Sequence, residues 1–229
     1  QQRIGVGNGV GTVSPNSTHA MEDRVLFSDQ LASLYLGEFE LAALADGVTT
    51  TSRNNELGKK EPLAAGPLAA DAMQWLHEEL AVSLPTCWLW HEVEQRFEQA
   101  VHAVNRRMQQ VHRLDQVVTT LVATLTHPQT GKTLMAYAGD SRIYRVRPGE
   151  QTMQQLTVDG TLAELISSHK YTLDEVLGIC ATMFKIDVAE AKRRWNAGDY
   201  QSMIVEGFGN GDSHNIHFLS VDLAVGDRL

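Results

Sequence analysis

The chain has 229 residues, 43% of them hydrophobic and 21% charged, which suits a folded chain with a sizeable core and excludes a disordered one. A formal net charge of −9 argues against nucleic acid as the main partner, because gripping a phosphate backbone needs a basic face that displaces counterions. No apolar run approaches the roughly 18 residues of a membrane span.

One domain over residues 1–229 is the expectation for this length. Cys87 and Cys180 lie far apart with no C-x-x-C spacing, so both read as buried or free thiols in a reducing cytoplasm. The chain begins Gln1-Gln2 and stops at Gly226-Asp227-Arg228-Leu229, in what reads as the start of a strand, so a piece of a longer product is expected.

From Ile4 to Val13 glycines alternate with branched residues, a strand pattern that admits close backbone approach. Val25 to Phe27, Leu31 to Leu36 and Glu38 to Ala45 read as three short strands, the first two divided by a turn at Ser28-Asp29-Gln30. Thr49 to Glu61 is polar and without period, which predicts a loop. Leu68, Ala72, Leu76 and Leu80 recur every four residues, and Val93, Phe97, Val101, Val104, Met108 and Val111 alternate steps of four and three. The spacing predicts two amphipathic helices, with Pro85 between them.

Val117 to Thr126 and Thr133 to Ala138 read as strands joined by a hairpin at His127 to Lys132, and Ile143 to Val146 and Thr152 to Leu156 continue the meander. Helices are expected at Thr161 to Ser168, Leu173 to Phe184 and Val188 to Trp195, then a strand at Asn215 to Val221. Antiparallel strands interrupted by paired helices make an α+β layered fold, not a parallel one.

Carboxylates stand at strand ends or turns in three places: Glu22-Asp23, Asp46 and Asp140. Hard divalent cations take oxygen ligands, and strand ends can bring them to one point. Each carboxylate alone reads equally well as a turn former or a solvated charge.

Four segments in order carry a resemblance: Met21-Glu22-Asp23-Arg24, Ala45-Asp46-Gly47-Val48, Ala138-Gly139-Asp140-Ser141-Arg142 and Leu156-Thr157-Val158-Asp159. Together they resemble the metal-dependent Ser/Thr protein phosphatases of type 2C, with Val48 closer to bacterial members. The resemblance implies a four-layer α-β-β-α sandwich of two antiparallel sheets flanked by helices, with residues 160–210 as a helical flap insert. It implies hydrolysis of phosphoserine or phosphothreonine in proteins by a metal-bridged hydroxide. The implied partner is a phosphorylated protein substrate, with a Ser/Thr kinase or its targets among the candidates, and the setting is cytoplasmic signal transduction.

By the same resemblance Asp46 and Asp23 are the catalytic carboxylates. Asp46 would bridge two Mn²⁺ or Mg²⁺ ions, Glu22, Asp23 and the Gly47 carbonyl would complete one of them, and Asp140 would lie near a weaker third ion. Ser141, Arg142 and Asp159 read as structural, the Arg142 guanidinium tied to a carboxylate or to carbonyls.

The sequence departs from the family pattern in three places. Thr18 stands where the family has its phosphate-binding arginine, leaving Thr18, His19 or Arg53 as candidate phosphate contacts. Thr49-Thr50 replaces a glycine pair, and no Ser-Asp-Gly or Asp-Asn occurs within residues 1–229, with truncation before them the expectation. These departures motivate a second reading, a catalytically weak or inactive pseudophosphatase that serves as a protein-binding or regulatory module. Cys87-Trp88-Leu89-Trp90 reads as a packing cluster, and the glycines of Gly207 to Asp212 read as a flap turn, since no strand and helix flank them as a nucleotide loop requires.

Overall fold

A computed structural model describes residues 5–8, 24–47, 52–54, 60–62, 65–112, 119–167, 171–201, 206–211 and 213–229. In chain order these carry β1 (Gly5–Asn8), β2 (Arg24–Ser33), β3 (Gly37–Ala45), β4 (Ser52–Asn54), β5 (Lys60–Pro62), α1 (Ala65–Ser83) and α2 (Trp90–His112). They continue with β6 (Leu121–His127), β7 (Lys132–Ala138), β8 (Tyr144–Arg145), β9 (Gln154–Gln155), α3 (Leu162–Ser167), α4 (Leu173–Phe184), α5 (Val188–Asn196) and β10 (His217–Asp222).

The centre is an antiparallel six-stranded sheet in the order β1-β2-β3-β6-β7-β10. Period-two patterning sets its faces: along β3, Phe39, Leu41, Ala43 and Ala45 are buried while Glu38, Glu40 and Leu44 are exposed. The buried row meets Leu68, Leu76 and Leu80 of α1 and Val93, Phe97, Val101, Val104 and Met108 of α2 in one hydrophobic cluster. Both helices therefore cover one face of the sheet. On the other face Val122, Met135 and Tyr137 meet Ile143 and Leu156, which flank the small β8-β9 ladder. The antiparallel sheets flanked by helices that the sequence implies are thus the architecture observed.

α3, α4 and α5 hold a cluster of their own, built on Leu162, Val176, Leu177, Cys180, Ala191 and Tyr200. Local signals set the bounds of its helices. Thr172 and Glu175 form a reciprocal capping box that starts α4, Lys185 in the left-handed region (φ 54°) ends it, and the Asp187 carboxylate caps α5 by accepting from Glu190 N–H at 2.7 Å. Among the described residues no helix is long and apolar enough to cross a membrane.

Four expectations are corrected. Ser28 to Gln30 is no turn between two strands: β2 runs through it, with its register against β3 shifting between Ser28 and Leu31. The bulge absorbs the polar residues, and buried Ser28 meets His77 Nε2 at 3.1 Å. Leu34 to Leu36 is a turn closing β2 onto β3, with Leu34 and Tyr35 exposed. The polar stretch expected as a loop contains the β4-β5 hairpin. In the expected packing cluster Cys87 is buried and Trp90 packs on the core, but Trp88 and Leu89 are exposed, Trp88 stacked on Tyr35 with ring centroids 3.8 Å apart.

Candidate active site

Three neighbouring strand ends meet where β3, β6 and β7 reach the same edge of the body. β3 runs out at Ala45 into Asp46 and Gly47, β6 begins after Thr119-Thr120, and β7 runs out at Ala138 into Gly139 and Asp140. With Leu44 opposite Val122 and Leu121 opposite Ala138, Asp46 and Gly139 stand two strands apart. Two strand spacings put their backbones about 10 Å from one another.

The threonine pair ties these ends together. Thr120 N–H and Thr119 Oγ1–H both donate to the Asp46 carbonyl, at 2.8 and 2.9 Å, and the Asp46 N–H donates to Thr120 Oγ1 at 3.2 Å. Thr120 Oγ1 also lies 2.6 Å from Ser141 Oγ. One buried hydroxyl thus touches both acidic segments. Thr119 further bridges to Gly47 on one side and Phe208 on the other. The Asp46 backbone is fully engaged while its carboxyl-bearing residue stays exposed to solvent.

Gly139 cannot be another residue without rearrangement. Its φ is +94°, and a Cβ there would lie 2.7 Å from Thr120 Cγ2. Its carbonyl accepts from Gly160 N–H at 2.6 Å, and Gly160 in turn accepts from Glu206 N–H at 3.2 Å. Arg142 then turns away from the strand ends: its Nε–H donates to both oxygens of Asp159 at 2.9 and 3.1 Å. The Asp159 pair holds the guanidinium firmly in its charged form, with Tyr144 a smaller contributor. Thr157 Oγ1 accepts from Ile143 N–H at 3.1 Å, which pins the strand that follows.

Two further contacts lie at this end of the molecule. Buried Glu206 meets His217 Nε2 at 2.8 Å, and the His217 ring stacks on Tyr137 with centroids 5.0 Å apart. Burial pushes the Tyr137 hydroxyl upward. Asn105 Oδ1, buried in α2, accepts from Gly209 N–H at 2.6 Å, so the glycine turn after Phe208 is anchored to the helix. Sequence reasoning passed over Thr119, Thr120, Asn105, Glu206 and His217. The one available signal was a Thr-Thr pair opening an otherwise apolar strand.

Of the sequence candidates, Asp46, Gly47 and Asp140 come to this shared end, and Ser141, Arg142 and Asp159 take the structural contacts expected of them. Thr18, His19, Glu22, Asp23 and Val48 lie outside the described residues, as do Thr49 and Thr50. Arg53 is in β4, paired with Glu61. Among the described residues no three His, Cys, Asp or Glu side chains are placed to hold one metal ion. The candidate donors that are described, the Asp46 and Asp140 carboxylates and the Gly47 carbonyl, are all oxygen, and Mg²⁺-like ions take one or two carboxylates and keep several waters. Its chemistry fits a hard divalent cation.

No protein-family model matches the chain, and no curated protein matches it. Solved structures do. The PPM Ser-Thr phosphatase MsPP of Mycobacterium smegmatis, in complex with cacodylate, superposes with a TM-score of 0.56 at 23% identity over 99% of this chain and 75% of its own. The serine/threonine phosphatase of S. agalactiae gives 0.59 at 19% identity over 99% and 77%, and Stp1 of Staphylococcus aureus 0.58 at 13% over 97% and 72%. The chain has the PPM phosphatase fold. At these identities the PPM likeness concerns architecture alone.

Proposed function

We propose that the chain is a metal-dependent protein phosphatase that hydrolyses phosphoserine or phosphothreonine, with its site at the ends of β3 and β7. The observation that supports this reading is the Asp46-Thr120-Ser141 linkage, which ties the Asp46 and Asp140 segments, two strands apart, to one end of the sheet. Chemistry on a phosphate monoester needs cations and water positioned against a doubly charged group, and positioning is what this junction offers.

Asp46, the Gly47 carbonyl and Asp140 would hold Mn²⁺ or Mg²⁺ together with Glu22 and Asp23. When bound, such ions supply an activated water and neutralise charge on the phosphoryl group. Asp46 keeps its backbone fixed through three hydrogen bonds, so its carboxylate can be aimed without ordering a loop at each turnover. Thr18, His19 or Arg53 would meet the substrate phosphate. The oxyanion cacodylate bound to the M. smegmatis protein is in keeping with a phosphate-like ligand for this fold.

A second reading, a pseudophosphatase binding a protein partner, is favoured by Thr18, which cannot make the bidentate charged contact that an arginine makes. Phosphate release in Mn²⁺ from a phosphothreonine peptide, set beside release from sugar phosphates, separates the readings. Peptide turnover that EDTA abolishes supports the first. Absence of turnover on every substrate sinks it and leaves the binding module, while turnover of sugar phosphates alone moves the substrate to a small metabolite.

A further inference from the structure

Away from the strand-end site, β10 forms one border of the six-stranded sheet, and among the described residues it pairs only with β7. All six of its residues, His217 to Asp222, are in unbroken register with β7. Exposed sheet borders are ordinarily blunted by lysine, proline or a bulge, since a row of unpaired N–H and C=O groups is a template for another strand. β10 has none of the three: it reads His-Phe-Leu-Ser-Val-Asp. Beside it, between the border and α2, lies a cavity of about 250 Å³ lined by Phe97, Leu134, Phe218 and Leu219 under the carboxylates of Glu94 and Glu98. The floor is apolar and the rim acidic. One turn along α2, burial and the neighbouring Arg106 hold His102 toward its neutral form, so it adds little positive charge to offset the rim.

We propose that this border is a docking site for an extended, basic segment of a partner protein, which adds a seventh strand beside β10. Main-chain hydrogen bonds to the open border supply attachment, an apolar side chain fills the cavity against Phe97 and Phe218, and lysine or arginine two residues away, on the same face of the added strand, faces Glu94 and Glu98. A second copy of the chain is the wrong occupant: two β10 borders paired about a two-fold axis would bring both pairs of glutamates together, a like-charge cost. This docking does not depend on the phosphatase reading.

The test uses the whole chain and a fluorescein-labelled peptide of about eight residues in which valine and arginine take turns at the positions of one face, with threonine at the positions between. Fluorescence anisotropy at low salt should show saturable binding, with slowed hydrogen exchange in β10. Methylating alternate peptide nitrogens should abolish binding, and the same peptide with glutamate in place of arginine should not bind. The Glu94→Gln, Glu98→Gln double variant should weaken affinity about tenfold with an unchanged melting temperature. Failure to saturate, equal binding of the N-methylated peptide, or equal affinity for the double variant would overturn the proposal. So would sedimentation showing a dimer that protects β10.

Discussion

The body of the molecule and the α3-α5 unit are built to different scales. Beneath the main sheet, one cluster joins five strands and two long helices through Phe39, Phe97, Leu41, Leu76 and their neighbours. α3, α4 and α5 close on a cluster of seven buried residues, two of which are alanines. The strand ends that carry Asp46 and Asp140 belong to the large core and inherit its rigidity, whereas the helical unit joins the junction through the backbone contacts of Gly160 and Glu206. Local opening free energies should divide along the same line, lower in the smaller core.

Substitutions graded by size can break that division. Phe97→Ala, which empties a fully buried site in the large core, should cost about 3–5 kcal/mol and unfold sheet and helical unit together in a denaturant titration. Leu177→Ala should cost about 2–5 kcal/mol within its own cluster. Its mark should be faster hydrogen exchange across α3 to α5 with β3, β6 and β7 unchanged; equal loss of protection in both regions would merge the two cores into one. Gly139→Ala forces a side chain into Thr120 at positive φ and should cost about 1–3 kcal/mol, read as a lowered melting temperature. Thr172→Ala removes the α4 capping box for about 1 kcal/mol, again confined to the helical unit.

The smallest effect concerns pH. Hydrogen bonds from Arg193 and then Arg194 pull the Glu190 carboxyl down to about 2 from its ordinary 4.5. A depressed carboxyl contributes stability above its unfolded pKa and loses it as pH falls toward the folded one. α5 should therefore loosen between about pH 4.5 and 2, by a small amount because solvent screens these surface ion pairs, and Glu190→Gln should flatten that slope in hydrogen exchange of α5.

Much of this was legible in the residues themselves. Heptad-like spacing marked α1 and α2, and the apolar residues of α4 marked its span, because a helix advertises its buried stripe within a single stretch of chain. Asp46 and Asp140 stood out as carboxylates ending apolar strands. The bulge in β2 was hidden, since one inserted residue shifts the alternation and mimics a turn. The β4-β5 hairpin carries no apolar alternation to reveal it. The junction itself was also illegible: Thr120 reaches Asp46 and Ser141, Asn105 reaches Gly209, and Glu206 reaches His217 only through strand pairing and helix packing that local pattern does not encode.

A working phosphatase site at the end of β3 is tested most directly through Asp46, whose backbone contacts survive truncation of its side chain. Steady-state phosphate release from a phosphothreonine peptide in Mn²⁺ should be measurable for the natural chain and should fall about 100-fold or more in Asp46→Ala at an unchanged melting temperature. Equal rates for the two proteins, or no release from either, would contradict it.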